Sequence, residues 1–246
     1  MTFNRLILFC AVLASLLQAE KHPFTVGETL EFDLKVNIIK AGNAMLKVIG
    51  EEEIDGNQVY HVKYTVKSNR YVDRLFYVRD QVDSWLDKEG LFTRRFIKNI
   101  REGSYRYKLE AEMNYIDSTL TSEDEVFPIE SEIRDPFSLF YYLRSIPLKV
   151  GQKLSFKTFD NGQFVDFHII VHRKENVRVP AGRFKCLVIE PYRKGKTLFK
   201  QKGDMRIWLT DDERRLPVKI ETKATFGSMK MLLKKIVLNG RNMLKI

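Results

Sequence analysis

The sequence predicts a mainly β protein with a strongly curved antiparallel sheet, a half-barrel or incomplete barrel, built from two similar halves around a short central helix. Three observations support this fold class. Apolar and polar residues alternate along several segments, which is typical of half-buried antiparallel strands. Sequence markers recur about half a chain apart. A short segment between the halves is apolar on nearly every side, as a buried helix is.

The alternation is unbroken in residues 30–38, where large apolar side chains alternate with charged or amide ones. The same period predicts strands in four further segments: 62–66, 105–115, 165–171 and 205–209. Turn residues, mostly Gly, Asn and Asp, separate these segments. Such spacing predicts a meander without βαβ units. Residues 116–133 are predicted to form an acidic loop.

Three markers of the first half return in the same order in the second half. They are Val26-Gly27-Glu28-x-Leu30-x-Phe32 with Val150-Gly151-Gln152-x-Leu154-x-Phe156, residues 56–62 with 182–188, and Trp85-Leu86-Asp87 with Trp208-Leu209-Thr210. The offsets of 124, 126 and 123 residues agree, and three agreements in order imply duplication. The period is too long for a solenoid. We therefore expect one β-rich domain over residues 20–246, with halves at about 24–115 and 148–240 joined through the helix.

The central helix is predicted over residues 135–146. Asp135 and Pro136 form a good helix start, an N-cap followed by proline at the first helical position. Pro147 ends the segment because proline cannot continue a helix. A curved sheet with one apolar face could wrap around such a helix.

The same helix supplies the candidate site residues. Phe137, Phe140, Tyr141 and Tyr142 could line a ligand cavity beneath the sheet, or they could form ordinary core, as aromatic-rich helices usually do. Arg144 also has two interpretations. It pairs with an anionic headgroup, or it faces the C-terminal carbonyls of the helix.

The first nineteen residues have the pattern of a cleavable signal peptide. Arg5 precedes an apolar run from Leu6 to Leu17, and Gln18-Ala19 follows it. A membrane anchor needs about 18 apolar residues, so this shorter run favours export with cleavage near Ala19. After cleavage Cys186 is the only cysteine, which excludes an intramolecular disulfide. Its β-like surroundings favour a small buried hydrophobe over a catalytic thiol.

The chain is basic, with a net charge of +10 that falls to +9 without Arg5. A turn-like cluster, Lys194, Lys196, Lys200 and Lys202, adds to paired basic residues elsewhere. The sequence has no nucleic-acid-binding motif, so no nucleic-acid partner is predicted. In an exported chain this charge favours contact with an anionic membrane surface or acidic glycans. Solvated lysines that protect sheet edges are the alternative.

Four segments together resemble a known family. They are residues 26–32 with Ala41-Gly42-Asn43-Ala44, residues 135–144, residues 179–186, and residues 208–212 with 215–218. Over roughly residues 24–240 they look like domain-of-unknown-function family 3108. The resemblance implies an exported, periplasmic protein of a mostly Gram-negative family, and it supplies no catalytic residues. The family's expected shape is similar to the half-barrel of periplasmic lipoprotein carriers, an analogy that does not by itself establish function.

Candidate residues for catalysis or metal binding are few. Asp166, His168 and His172 share one face of a predicted strand, but the ligand set is incomplete for zinc, so no metal and no cofactor is predicted. Asp211 and Asp212 could be the paired carboxylates of a glycosidase. Their surroundings have turn composition, which explains them more simply. The sequence has no nucleophile elbow or nucleotide-binding loop.

The functional prediction is a non-enzymatic cell-envelope protein that binds a lipid or other amphiphile on the concave face of the sheet. Two alternatives stay open. The protein is a structural or scaffolding partner of an envelope complex, or, less favoured, a hydrolase acting on envelope glycans. A packed core beside the helix would count against the lipid-binding hypothesis, whereas a sizeable apolar cavity there would support it.

Overall fold

A computed structural model describes residues 22–193, 205–224 and 227–243. In them, fifteen strands form one antiparallel sheet that does not close into a barrel, which confirms the predicted fold class. The strands are β1 (Thr29–Val36), β2 (Ile39–Ile54), β3 (Asn57–Ser68), β4 (Arg79–Asp87), β5 (Thr93–Glu102), β6 (Tyr105–Asn114), β7 (Thr119–Ser122), β8 (Glu125–Pro128), β9 (Lys153–Asp160), β10 (Gln163–Val179), β11 (Gly182–Arg193), β12 (Met205–Thr210), β13 (Pro217–Ala224), β14 (Gly227–Leu238) and β15 (Arg241–Asn242).

The sheet consists of two meanders joined side by side. Its strand order is β8-β7-β6-β5-β4-β3-β2-β1-β14-β13-β12-β11-β10-β9, and β15 pairs with β14. The pairing of β1 with β14 unites the halves, and β8 and β9 are the edges. A single turn of 3-10 helix (Val72–Arg74) connects β3 and β4. The prediction of an acidic loop over residues 116–133 was wrong, because β7 and β8 form a hairpin there.

The α-helix α1 (Pro136–Ser145) lies between β8 and β9, as the sequence predicts. The Asp135 carboxylate accepts hydrogen bonds from the backbone N–H groups of Phe137 (2.7 Å) and Ser138 (3.3 Å). These are two of the donors that a helix N-terminus leaves without an intrahelical partner. At the other end Ile146 is extended and precedes Pro147, so the helix stops there.

The two halves share turn geometry as well as strand order. Gly27 and Gly151 both have φ of +86°, a left-handed conformation that favours glycine. The N–H of Gly27 donates to Val48 O (2.9 Å), and that of Gly151 donates to Val171 O (2.8 Å). The indole N–H of Trp85 donates to Glu52, and that of Trp208 donates to Glu175, at an offset of 123 residues in both positions.

The segment before α1 links β5 of the first half to the edge strand β9 of the second half. The N–H of Thr93, at the start of β5, donates to Ile133 O (2.9 Å), and the N–H of Arg134 donates to Lys157 O of β9 (3.2 Å). This short connection, with the helix that follows, occupies the concave side of the sheet. Most apolar residues of α1 pack there against inward-facing side chains of both halves.

Gly42, in the Ala41-Gly42-Asn43-Ala44 segment, lies on β2 directly against the backbone of β3. A Cβ atom added at Gly42 would lie 2.1 Å from Lys67 O and 2.9 Å from Ser68 Cα, both backbone atoms. We expect Gly42→Ala to destabilise the protein by about 1–3 kcal/mol, because the strands must separate. Gly50→Ala on the same strand is the matched control, since nothing lies within 4 Å of its added Cβ. Urea unfolding of the two variants measures the difference, and equal stabilities would contradict the steric argument.

Candidate functional site

The structure packs the residues predicted to line a ligand cavity against the core. Tyr141 is fully buried, with its ring centroid 4.6 Å from that of Phe24. Three further aromatic residues of α1 are partly buried against the same cluster: Phe137, Phe140 and Tyr142. Burial raises the pKa of Tyr141, which keeps its hydroxyl neutral. Three surface clefts, of about 490, 370 and 410 Å³, have none of the five predicted side chains on their walls.

Arg144 is fully buried and forms a two-bond ion pair with Glu28. Its Nη1 donates to Glu28 Oε1 (2.7 Å) and its Nη2 donates to Oε2 (3.1 Å). The guanidinium also donates to the carbonyls of Arg214 and Pro23, both at 3.2 Å. All three guanidinium nitrogens therefore have partners, as a buried charge requires.

This pairing corrects both predicted roles of Arg144. The guanidinium is fully buried and faces a carboxylate of the protein itself, so it is not presented to an anionic headgroup. It does not bond the last carbonyls of α1 either: Arg215 Nη1 donates to Arg144 O (3.0 Å) and serves that function. Arg144 instead ties the end of the helix to the segment before β1 and to the turn between β12 and β13.

A second polar cluster holds the start of α1. The Asp135 carboxylate is fully buried and accepts hydrogen bonds from Ser84 Oγ (2.5 Å) and Thr93 Oγ1 (2.7 Å) in addition to its capping bonds. Thr93 Oγ1 also contacts Ser138 Oγ at 2.8 Å. Burial raises the pKa of Asp135, and these hydrogen bonds oppose that shift. The members of the cluster are hydrogen-bonded to one another, and they hold the start of the helix on β4 and β5.

A cleft of about 490 Å³ opens beside the Arg144–Glu28 pair. We call the sheet margin that carries it the lower rim, where the chain enters β1 and where the β12–β13 turn lies. The wall is part cationic and part apolar, formed by His22, Pro23, Thr25, Glu28, Ser145, Glu213, Arg214, Arg215, Leu216, Ile236, Leu238 and Met243. A site of this composition can take a small ligand with an anionic group and a short apolar part.

The histidine and aspartate residues considered for metal binding lie apart or in ordinary ion pairs. His172 Nε2 is 3.0 Å from Glu190, His168 stacks on Tyr192, and exposed Asp166 is 3.8 Å from Lys157. Among the described residues, no three His, Cys, Asp or Glu side chains come together in a way that could hold a metal ion.

Asp211 and Asp212 belong to the turn between β12 and β13. Asp212 Oδ1 accepts from the backbone N–H groups of Arg214 (3.1 Å) and Arg215 (3.2 Å), whereas Asp211 pairs with Lys174 (2.8 Å). Asp87 Oδ1 accepts from two backbone N–H groups in the equivalent turn of the first half. Asp212 therefore shapes the β12–β13 turn, and Asp211 forms an ion pair beside it. Both roles agree with the turn composition of the sequence.

Cys186 is fully buried on β11, and burial raises the pKa of its thiol to about 12. A thiol of that pKa is almost entirely protonated at neutral pH and is a poor nucleophile. The predicted hydrophobic role is therefore the one its surroundings favour. The predicted signal peptide and the lysine cluster at 194–202 lie outside the described residues.

Sequence reasoning missed Glu28 as the partner of Arg144. The available signal was the comparison of the two halves: Gln152 occupies the place of Glu28 in the second half, and only the first half must neutralise the helix arginine. The exposed apolar residues of the β3–β4 connection were missed as well. Their signal was a run of five large apolar residues at 71–77 that is interrupted by Asp73 and Arg74.

Comparison with known proteins extends the fold assignment but adds no activity. A search of curated proteins finds no match. A β-barrel-like protein of family DUF1849 from Brucella abortus is similar in structure, with a TM-score of 0.60 at 12% identity, covering 87% of this chain and 98% of that one. A candidate exported protein with a YmcC-like fold from Bacteroides fragilis reaches a TM-score of 0.36 at 10% identity, covering 88% and 98% of the two chains.

The match that identifies the chain comes from sequence families. The profile of a family described as protein of unknown function, DUF3108, matches residues 31–234. This range includes most of the sheet and all of α1. It also includes the polar clusters at the two ends of the helix, except for Glu28 and Pro23. It also agrees with the resemblance found in the sequence motifs. The chain therefore belongs to the DUF3108 family.

Proposed function

We propose that the protein is a non-enzymatic structural partner in the bacterial cell envelope, which binds other envelope components through its surface. The observation that supports this proposal most is the packing of α1. Leu139, Tyr141, Leu143 and Arg144 are each at most 2% exposed, so the helix occupies the concave side where an acyl chain would have to lie. This packing favours a function at the surface over the carrier-like function predicted for the concave face.

The open edge of β9 is the surface we propose for a protein partner. Among the residues that the structure describes, the outer side of β9 is paired through one isolated bridge, between Arg134 and Thr158. Along residues 153–157 the exposed side chains are those of Lys153, Ser155 and Lys157. An edge strand with free backbone groups can accept a strand from another chain. Export to the periplasm, expected from the first nineteen residues, would place this edge among envelope proteins.

Site-specific photo-crosslinking in the native host tests this proposal. A photoreactive residue at Ser155 or Lys157 is expected to give one discrete adduct with an envelope protein. The same residue at Lys108, which is 69% exposed on the interior strand β6, is the matched control and should give none. No adduct from either edge position, or the same adducts from all three, would contradict a partner at this edge.

A second candidate function is amphiphile binding at the lower-rim cleft. The composition of the cleft wall supports this candidate. Arg214 and Arg215 supply positive charge, and apolar surface comes from Leu216, Ile236 and Leu238. A stoichiometric lipid adduct that is lost in Leu238→Arg would favour this candidate, because the substitution places a charge in the apolar half of the cleft.

A further inference from the structure

Exposed apolar side chains gather at the margin of the sheet opposite the lower rim. In an antiparallel meander the β1–β2, β3–β4, β5–β6 and β13–β14 connections all lie at the same end. We call their segments 37–40, 69–79, 103–106 and 228–230 the upper rim. The described part of the chain has fifteen exposed large apolar residues. Eight of them lie on the upper rim: Ile38, Ile39, Tyr71, Leu75, Phe76, Tyr77, Tyr105 and Met229.

Hydrogen bonds show that the upper rim is continuous. The N–H of Asn37 donates to Ser228 O (2.7 Å), joining the β13–β14 and β1–β2 connections. Asn69 donates through its backbone N–H to Ala41 O (2.8 Å), which joins β1–β2 to β3–β4. The N–H of Gly103 donates to Tyr77 O (2.7 Å) and adds β5–β6. Because these connections come two strands apart, their tips follow one another at about 10 Å intervals.

The tip formed by the β3–β4 connection is held rigidly away from the sheet. Asn69 Oδ1 accepts from the N–H groups of Tyr71 and Val72, both at 3.0 Å, and starts the 3-10 turn. Asp73 is bonded twice by the Arg79 guanidinium, at 3.0 and 2.7 Å. Leu75, at the end of this braced turn, is 90% exposed. The tip is thus fixed in a conformation that presents an aliphatic side chain to solvent.

The upper rim is also strongly basic. Its segments contain six Lys or Arg residues and a single acidic residue, Asp73. Three of the six basic residues pair with carboxylates: Lys40, Arg79 and Lys230. Arg70, Arg74 and Arg106 have no carboxylate within ion-pair distance among the described residues, so their charge is free for a partner. Apolar tips surrounded by uncompensated arginines are the composition of surfaces that rest on anionic membranes.

We propose that the upper rim docks on the surface of a bilayer containing anionic phospholipid, with Ile38 and Leu75 inserted and Arg70 and Arg74 among the headgroups. Tyrosines at positions 71, 77 and 105 would lie at headgroup level, where their amphipathic rings are favoured. A bilayer fits better than a protein partner because the apolar residues stand on separate tips, and a fluid interface admits each tip without shape complementarity. The proposal rests on the proposed function only in placing the chain in the envelope.

Vesicle flotation tests the proposal. The full chain is mixed with vesicles of phosphatidylcholine containing about a third phosphatidylglycerol, and with pure phosphatidylcholine vesicles, at low and high salt. We expect binding to the anionic vesicles that weakens about tenfold or more at high salt, because screening removes the arginine attraction. Every variant has the same N-terminal segment, so differences between variants report the upper rim.

Two double variants separate the apolar and electrostatic contributions. Ile38→Ser with Leu75→Ser is expected to weaken binding at least tenfold, since two inserted side chains are lost. Arg70→Ser with Arg74→Ser is expected to weaken it about tenfold on anionic vesicles alone. Ile116→Ser is the control for the first pair, because Ile116 is 85% exposed on the lower rim. Lys153→Ser is the control for the second. The substituted side chains are exposed, so unchanged thermal melting confirms that the variants are folded.

Three results would overturn the proposal. The first is no binding to anionic vesicles at low salt, which would make a protein the occupant of the upper rim. The second is equal binding to neutral and anionic vesicles. The third is a loss in the Ile116→Ser control that matches the loss in the Ile38/Leu75 variant. Each of these outcomes leaves the crosslinking test of the β9 edge unaffected, so the two proposals can fail separately.

Discussion

Replacing Glu28 by Gln is expected to lower the free energy of unfolding by about 3–5 kcal/mol. The substitution leaves the Arg144 guanidinium, which is fully buried, without its only carboxylate. An uncompensated charge in the interior is one of the most destabilising changes that a single substitution makes. Gln is the informative replacement because Gln152 occupies the equivalent turn in the second half, so the backbone geometry tolerates it.

Urea unfolding of a double-mutant cycle separates the charge from the shape. Glu28→Leu combined with Arg144→Met should recover most of the stability that either single variant loses, because apolar residues of similar size often replace a buried pair at little cost. Glu110→Gln is the matched control in a surface pair, where Arg95 and Glu110 are 36% and 40% exposed. It should cost less than about 1 kcal/mol. A Glu28→Gln variant as stable as this control would mean that the buried pair does not hold α1 in place.

Replacing Asp135 by Ala is expected to cost about 3–5 kcal/mol. The substitution removes the helix cap, worth about 1 kcal/mol. It also removes the carboxylate that accepts from the buried hydroxyls of Ser84 and Thr93, of which Thr93 keeps its contact with Ser138, at about 1–3 kcal/mol for each unsatisfied group. Asp117→Ala, in the exposed β6–β7 turn, is the control and should change stability by less than about 0.5 kcal/mol. A similar loss in both variants, measured by urea unfolding, would contradict the structural role given to the buried cluster.

The pH dependence of the Asp135→Asn variant tests the electrostatics of the same position. Burial raises the pKa of Asp135 above its ordinary value of 3.8. The folded state therefore binds the proton more tightly than the unfolded state. The resulting stabilisation is fully present below the unfolded pKa and is lost as pH rises through the folded pKa. Lowering the pH from about 7 to about 4 should thus stabilise the native sequence relative to Asp135→Asn. The opposite trend would show that hydrogen bonding to the carboxylate outweighs burial.

Local patterns predicted the elements that depend on nearby residues. Asp135 and Pro136 predicted the start of α1 because capping acts within three residues. The alternation at 30–38 predicted β1 because side chains on a strand point to opposite faces in turn. The acidic hairpin of β7 and β8 was missed because four-residue strands with charged turns give no clear period.

Contacts between distant residues could not be predicted in the same way. Arg144 and Glu28 are 116 residues apart, and nothing local to either residue indicates the other. Whether the aromatic side chains of α1 border a cavity or fill the core also depends on how far the two meanders curve, which periodicity does not specify. The upper rim exists only because four connections, far apart in sequence, come to the same end of the sheet.

We propose that α1 fills the concave side of the sheet, and that the protein therefore acts through its surface and holds no ligand inside. Native mass spectrometry, with lipid extraction, on the protein purified from the envelope of its own host tests this claim most directly. We expect the mass of the polypeptide alone, and no stoichiometric lipid in the extract. A one-to-one lipid adduct that is released on denaturation, and that persists in the Leu238→Arg variant of the lower-rim cleft, would contradict it.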